Sequence, residues 1–192
     1  MGQLFEALSP RHCAFIEAQK IFFVGTAAEE GTVNLSPKGG DSVRVIDGNT
    51  LAWLNLTGSG NESAAHVLQN PRMTVMFCAF EGAPMILRAY GQARVLHRGD
   101  LDWDEAMALF PPSVAARQIF LLDIDSVQSS CGMSVPLYDY QADRVDLANW
   151  STRQGEEGIQ AYWRKKNQQS LDGFESEIVA RSGLAAVQDP EQ

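Results

Sequence analysis

The sequence has few cysteines, few histidines and a deficit of positive charge, and it contains no long apolar run. Its 192 residues include three cysteines and three histidines, without the spacing that a zinc site or a disulfide framework needs. The longest apolar stretch, residues 21–28, is far too short to cross a bilayer. With 15 Lys and Arg against 24 Asp and Glu, the net charge of −9 opposes binding to nucleic acid or to an anionic membrane. We therefore expect no metal site, no nucleic-acid partner and no membrane partner.

The amino terminus shows no pattern for export or lipidation. A basic segment followed by an apolar run and a cleavage site is absent, and Glu6 stands where a myristoylation signal needs Ser or Thr. The composition, 45% hydrophobic and 20% charged, is that of a folded domain. We expect a cytoplasmic globular protein.

Short β-type segments at hairpin spacing dominate the middle of the chain. About six strands are predicted between residues 21 and 96, and a further strand at residues 118–126. Residues 47–49 (Asp-Gly-Asn) indicate a hairpin turn, and Gly91 indicates a bulge or a bend. Helices are predicted at residues 10–19, before Asn70, at 100–110, 144–150 and 156–167. Because parallel strands need long crossovers, this pattern predicts a mainly β protein, an antiparallel barrel with flanking helices.

Residues 57–63 form a run of small and polar residues between a predicted strand and a predicted helix. Thr57, Ser59 and Asn61 offer side-chain donors there, and the helix would present free backbone amides. This arrangement is typical of a phosphate site. A capping loop without a ligand has the same pattern, so the residues alone leave both interpretations open.

Two cations stand among apolar, Gly and Pro residues in this acidic chain. Lys38 follows Pro37, and Arg44 interrupts the alternation of residues 43–45. A guanidinium at the open end of this hairpin is suited to bidentate phosphate binding. An outward arginine on the solvated face of an ordinary strand fits the same pattern.

Four segments together resemble a known family. They are VNLSPKGGDSVRVID, LAWLNLTGSGNESAAHVLQNPRMTVMFCAFEG, ILRAYGQARVL and SSCGMSVPLYDY, and they resemble the pyridoxamine-5'-phosphate-oxidase-like FMN-binding split barrels. The Cys-Gly-x-x-Val-Pro run of the last segment resembles a bacterial branch. The resemblance implies a six-stranded antiparallel split β-barrel with an N-terminal helix in residues 1–140. It also implies a helical tail in residues 141–192 that packs on the same domain.

The resemblance further implies a homodimer that binds FMN in a cleft between the subunits. Arg44 matches a strand position that holds the flavin phosphate in the family, and Asn55 and Thr57 match positions near the flavin. A basic Arg-Lys pair of the oxidases is replaced by Glu62-Ser63 or by Gly60-Asn61, depending on the placement of a gap. The candidate cofactor-binding residues are Lys38, Arg44, Asn55, Thr57, Ser59 and Asn61.

The function that this resemblance implies is FMN-dependent hydride transfer to or from a small-molecule substrate. No catalytic acid or base stands out, and Cys131 has no evident base and fits a packed thiol better than a nucleophile. The missing basic pair motivates an alternative, a carrier of flavin, deazaflavin or haem without oxidase activity. We expect loss of Arg44 to weaken flavin binding strongly and loss of the Cys131 thiol to leave it unchanged.

Overall fold

Eight strands form one antiparallel sheet in the computed structural model of the chain, which describes residues 2–184. The strands are β1 (Gln3–Phe5), β2 (Ile21–Ala27), β3 (Val33–Gly39), β4 (Val43–Val45), β5 (Thr50–Leu56), β6 (Arg72–Cys78), β7 (Ile86–His97) and β8 (Ala116–Ser130). Seven of them follow the order β3-β2-β6-β7-β8-β5-β4, and β1 pairs with β8. The predicted mainly β antiparallel class is confirmed. The six strands that the resemblance implies are slightly too few. The seven strands predicted from the local pattern correspond to β2–β8, and β1, with three residues, is too short for alternation to reveal.

Five helices flank the sheet in the described part of the chain: α1 (Pro10–Ala18), α2 (Glu62–Gln69), α3 (Trp103–Met107), α4 (Asp146–Lys166) and α5 (Ile178–Arg181). The Ser9 hydroxyl accepts a hydrogen bond from the His12 amide at 3.3 Å, which explains why α1 begins at Pro10. The two helices predicted in the tail are joined into α4 across a kink at Gly155, where φ is +64°. In residues 2–184, none of the helices combines the length and the apolar character that a bilayer span requires.

The main core fills the space inside the curved sheet. Trp53 of β5 stacks on Phe120 of β8, with their ring centroids 4.3 Å apart. Phe22 and Phe77 complete this aromatic centre from β2 and β6. A separate small cluster joins Ile159, Trp163 and Ile178 in the tail, so α4 and α5 pack together through their own apolar contacts.

Strand β3 has the reverse of the usual polarity. Asn34, Ser36 and Lys38 are paired in register with the inward residues of β2, so they lie on the inner side of the sheet. Val33 and Leu35 lie on the outer side, where they are 77% and 66% exposed. Polar groups are therefore carried inward, and an apolar stripe faces outward.

The bulge predicted at Gly91 is present. The register of β7 and β8 shifts between Tyr90 and Gly91, so that Asp125 of β8 has no residue opposite it on β7. A Cβ added at Gly91 would lie 1.9 Å from the backbone oxygen of Asp123. The two strands approach so closely here that only glycine fits.

Replacing Gly91 with alanine should therefore destabilise the protein by about 2–4 kcal/mol, because backbone rather than a flexible side chain has to move. Urea unfolding of the purified variant measures the change. Gly25→Ala in β2 is the control, since its Cβ meets nothing closer than 3.9 Å. A Gly91→Ala variant as stable as Gly25→Ala would contradict the prediction.

Candidate functional site

A groove of about 1020 Å³ opens where β3 and β5 end. Its inner walls come from the α1–β2 connection, from the end of β3 and from residues 54–58. Its outer wall is formed by residues 138–144 and the first turn of α4. The groove is thus enclosed between the barrel and the chain segment that follows β8.

Backbone and aromatic contacts attach the outer wall to the barrel. The Tyr138 amide donates to the Phe80 carbonyl at 2.9 Å, and the two rings stack with centroids 5.4 Å apart. The Tyr140 amide donates to the Glu81 carboxylate at 3.3 Å, and the Lys20 ammonium lies 5.6 Å from the Tyr140 ring centroid. This wall brings two aromatic rings to the groove, although Tyr138 remains 62% exposed.

The side chain of Lys38 enters the groove from β3. Its Nζ donates to Asn55 Oδ1 at 3.4 Å and lies 5.2 Å from the Trp53 ring centroid. Burial, together with repulsion from Arg117, lowers the pKa of the Lys38 amine to about 8. Within residues 2–184 no carboxylate forms an ion pair with this amine.

Asn55 is buried at the end of β5 and links Lys38 to β8. Its Nδ2 donates to Gln118 Oε1 at 3.0 Å, while its Oδ1 accepts the bond from Lys38. The Gln118 Nε2 is buried without a partner in residues 2–184. The amide of Asn55 is therefore held in one orientation beside the groove.

Residues of the tail form hydrogen bonds with the loop in which the sequence predicts a phosphate site. Trp163 Nε1 donates to Thr57 Oγ1 at 2.9 Å, and Asn61 Nδ2 donates to the Asn167 carbonyl at 3.0 Å. Asn167 Nδ2 in turn donates to the Gly58 carbonyl at 3.0 Å. Thr57 still lines the groove, but its hydroxyl and the amide of Asn61 are engaged by α4 and the residue after it.

Ser59 and Arg44 do not line the groove. Ser59 is exposed in the loop before α2. The Arg44 guanidinium donates to both carboxylate oxygens of Asp41, at 2.5 and 2.8 Å, and to the Leu109 carbonyl at 2.8 Å. It also lies 5.0 Å from the Phe110 ring centroid, so Arg44 fastens β4 to the end of α3. The structure thus brings Lys38, Asn55 and Thr57 together at the groove, with Asn61 buried behind it.

The sequence did not indicate a role for one buried arginine, Arg117. Arg117 of β8 is 3% exposed, and its Nη1 donates to the carbonyls of Gly60 and Gly58 at 2.9 and 3.4 Å. Burial lowers the pKa of Arg117 to about 9, while Glu62 acts in the opposite direction. A charged residue two positions before the apolar run of residues 119–122 is the signal that could have revealed it.

His97, at the end of β7, lies fully buried near the tail. Neither ring nitrogen has a hydrogen-bond partner in residues 2–184. Burial lowers the pKa of His97 to about 4, with Arg181 and Arg117 adding to the shift and Asp100 opposing it. Asp100 itself accepts hydrogen bonds from the His97 amide and from Arg181 at 2.8 and 2.5 Å. His97 is therefore a neutral core residue that resists protonation.

Over residues 2–184, no group of three or more His, Cys, Asp or Glu side chains is arranged to hold a metal ion. The site is a groove at one end of a curved antiparallel sheet.

Comparison with known proteins shows the family. The family model described as pyridoxamine 5'-phosphate oxidase matches residues 8–131. The pyridoxamine 5'-phosphate oxidase family protein ustO of Aspergillus flavus is 33% identical over 195 residues, which cover 91% of this chain and 77% of ustO. The chain belongs to the pyridoxamine 5'-phosphate oxidase family.

Solved structures match the fold. A Lactobacillus delbrueckii protein provisionally assigned as a pyridoxamine 5'-phosphate oxidase gives a TM-score of 0.52 at 18% identity, covering 64% of this chain and 94% of that one. HupZ from Group A Streptococcus gives a TM-score of 0.50 at 15% identity, covering 62% of this chain and 91% of that one. These likenesses confirm the predicted split-barrel fold.

The Trp163–Thr57 hydrogen bond should contribute about 1 kcal/mol to stability, because both partners are buried. A double-mutant cycle of Trp163→Phe and Thr57→Val, measured by urea unfolding, isolates this coupling from the cavity that each change leaves. We expect the double variant to lose less stability than the sum of the two single losses. Strictly additive losses would show that the bond does not connect the tail to the loop.

The lowered pKa of His97 predicts that the free energy of unfolding decreases in acid. The unfolded chain takes up the imidazole proton near pH 6.5 and the folded chain only near pH 4, so stability is complete above pH 6.5 and falls as the pH drops towards 4. The loss should reach about 3 kcal/mol relative to a His97→Leu variant, which cannot titrate there. Urea unfolding of both proteins between pH 7 and 4 measures the difference. Parallel pH curves would contradict this account of His97.

Proposed function

We propose that this protein binds a flavin, FMN in particular, in the groove and works as an oxidoreductase on a small molecule. The observation that carries the proposal is the Lys38 amine, which faces a ligand-sized groove without a carboxylate partner in residues 2–184. An uncompensated cation in a chain of net charge −9 favours a negatively charged ligand. Family membership supports the same class of ligand.

The groove fits a flavin in size and in chemistry. Its volume of about 1020 Å³ lies at the upper end of the range for cofactor-sized ligands. Phe80 and Tyr138 supply aromatic surface for a planar ring system, and Asn55 and Lys38 supply polar groups at one end. The residues present can therefore hold both an aromatic ring and a negative charge.

The phosphate of FMN is best accommodated near Lys38. Arg44, the sequence-based candidate, is neutralised by Asp41, and the amide of Asn61 is engaged by Asn167. Lys38 and the backbone at Gly39, Gly40 and Gly58 remain along the groove wall. Phosphate binding in this protein would thus rest on fewer charges than the Arg-Lys pair of the oxidases supplies.

A bound flavin supplies hydride and electron transfer chemistry, and the chain supplies orientation and exclusion of water. Asn55, fixed by Gln118, presents an oriented amide to a ligand. Residues 138–144 cover the groove from the solvent side. Since the hydride chemistry belongs to the flavin, the groove needs no separate acid or base to support it.

We also propose a homodimer that uses the outer face of β3. Val33 and Leu35 are largely exposed, and the half-buried Phe23 and Met76 continue the same apolar face across β2 and β6. Because Val33 and Leu35 leave an apolar surface in solvent, burial of this outer face against a second copy of the chain is favourable.

A cytoplasmic location and membership of the bacterial branch with the Cys-Gly run remain predictions from the sequence.

A carrier function for flavin, deazaflavin or haem is the second candidate. The tail engages Thr57, Gly58 and Asn61, which leaves the predicted phosphate loop with few free donors. The visible spectrum of the purified protein separates the candidates: oxidised-flavin bands support the first, and a haem Soret band supports the carrier. Failure to bind added FMN would leave deazaflavin as the ligand to test.

Replacing Lys38 with methionine should weaken FMN binding about tenfold, equivalent to about 1.4 kcal/mol, because the charge that faces the groove is lost. Fluorescence titration of the apo-protein with FMN measures the effect. Lys20→Met is the matched control, since Lys20 lines the same groove from an exposed position, and it should change the affinity less than about twofold.

The same titration tests the sequence-based expectations for Arg44→Ala and Cys131→Ser. A strong effect of Arg44→Ala with none from Lys38→Met would place the phosphate at Arg44 after release of Asp41. Equal affinities in all four variants would contradict phosphate binding by either cation.

A further inference from the structure

Lys38 differs from an ordinary surface lysine in its surroundings. Its amine faces the groove, forms no salt bridge with any carboxylate in residues 2–184, and lies between the Trp53 ring and the Asn55 amide oxygen. The nearby buried Arg117 repels its proton. The charged groups that face the same groove are Lys20, Glu81, Asp139, Asp143 and Arg144, and none of them neutralises the amine.

Both protonation states of this amine are present near neutral pH. Burial and Arg117 bring its pKa to about 8, whereas a solvated lysine titrates near 10.4. At pH 7 about a tenth of the Lys38 amine is uncharged, compared with less than about a thousandth of a solvated one. An uncharged amine at the wall of a groove has the free electron pair that nucleophilic lysines need.

We propose that Lys38 is a nucleophilic lysine that condenses reversibly with a small aldehyde or ketone entering the groove. The nitrogen lone pair attacks the carbonyl carbon, and the carbonyl oxygen takes up a proton to give a carbinolamine. Loss of water then forms a C=N bond. The neutral amine gives up both of its hydrogens to the departing water, so no oxidant or reductant is consumed.

The surroundings favour this condensation. The hydrogen bond to Asn55 Oδ1 fixes Nζ at the wall, and the rings of Phe80 and Tyr138 provide an apolar surface for the carbon chain of the carbonyl compound. A carbonyl compound that also carries a negative charge would be attracted by the protonated fraction of the same amine. The carbonyl compound would take the position proposed above for the flavin phosphate, so the inference applies to the flavin-free form of the protein.

Reductive alkylation of the full-length protein in its flavin-free form tests the proposal. The protein is treated at pH 7 with propanal and sodium cyanoborohydride, which traps an imine as a stable secondary amine, and the sites are quantified by peptide mass mapping. The chain contains four lysines, so Lys20, Lys165 and Lys166 serve as internal controls. We expect Lys38 to be modified about tenfold faster at pH 7 than these exposed lysines.

Asn55→Asp provides the second arm. A carboxylate beside Nζ would stabilise the protonated amine, so modification of Lys38 should slow severalfold while the other three lysines react as before. Modification of Lys38 no faster than Lys20 would overturn the proposal, and so would an unchanged rate in Asn55→Asp. Flavin content, read from the visible spectrum of the protein as purified, is a separate result, so failure of flavin binding and failure of imine formation are distinguishable.

Discussion

The inverted polarity of β3 is the constraint on which the candidate site depends. A strand at the end of the sheet ordinarily places apolar residues inside and polar residues in water. Here Asn34 and Lys38 lie on the inner side, and each has to find a partner there. Asn34 donates to Thr26 and Ser63, which ties β3 to α2, whereas Lys38 reaches only the Asn55 amide oxygen within residues 2–184. The strand therefore places on the inner side the Asn34 amide, which is paired, and the Lys38 amine, which remains available to a ligand.

The loop before α2 is held by partners that lie far away in sequence. Arg117 of β8 donates to the carbonyls of Gly58 and Gly60. Asn167 and Trp163 of the tail also form hydrogen bonds with the loop. The Arg98 guanidinium lies 4.6 Å from the Trp163 ring centroid and pairs with Glu156, so α4 is anchored to the barrel through the same indole. Groove, loop and tail consequently form one connected unit.

Local patterns predicted the elements well, because strand alternation and turn residues act over a few positions. The strands predicted between residues 21 and 96 correspond to β2–β7, and the bulge at Gly91 followed from a glycine inside an apolar strand. The roles of individual cations were harder to predict. Arg44 and Arg117 look alike in sequence, and only the fold shows that Asp41 neutralises the first and that the second is buried beneath the loop. Hydrogen bonds over about a hundred residues, such as Trp163 to Thr57, leave no local signal.

Charge explains why Lys38 is the reactive position of the groove. The chain has 24 carboxylates, yet none in residues 2–184 neutralises this amine. Partial burial of the charged amine lowers the free energy of unfolding by at most about 3 kcal/mol. The actual loss is smaller because solvent still reaches the amine. The cost applies at neutral pH, where the unfolded chain binds the proton more tightly, and it vanishes once the pH exceeds 10.5. Because an anionic ligand would offset this cost only in the folded protein, binding and stability should be linked through the same amine.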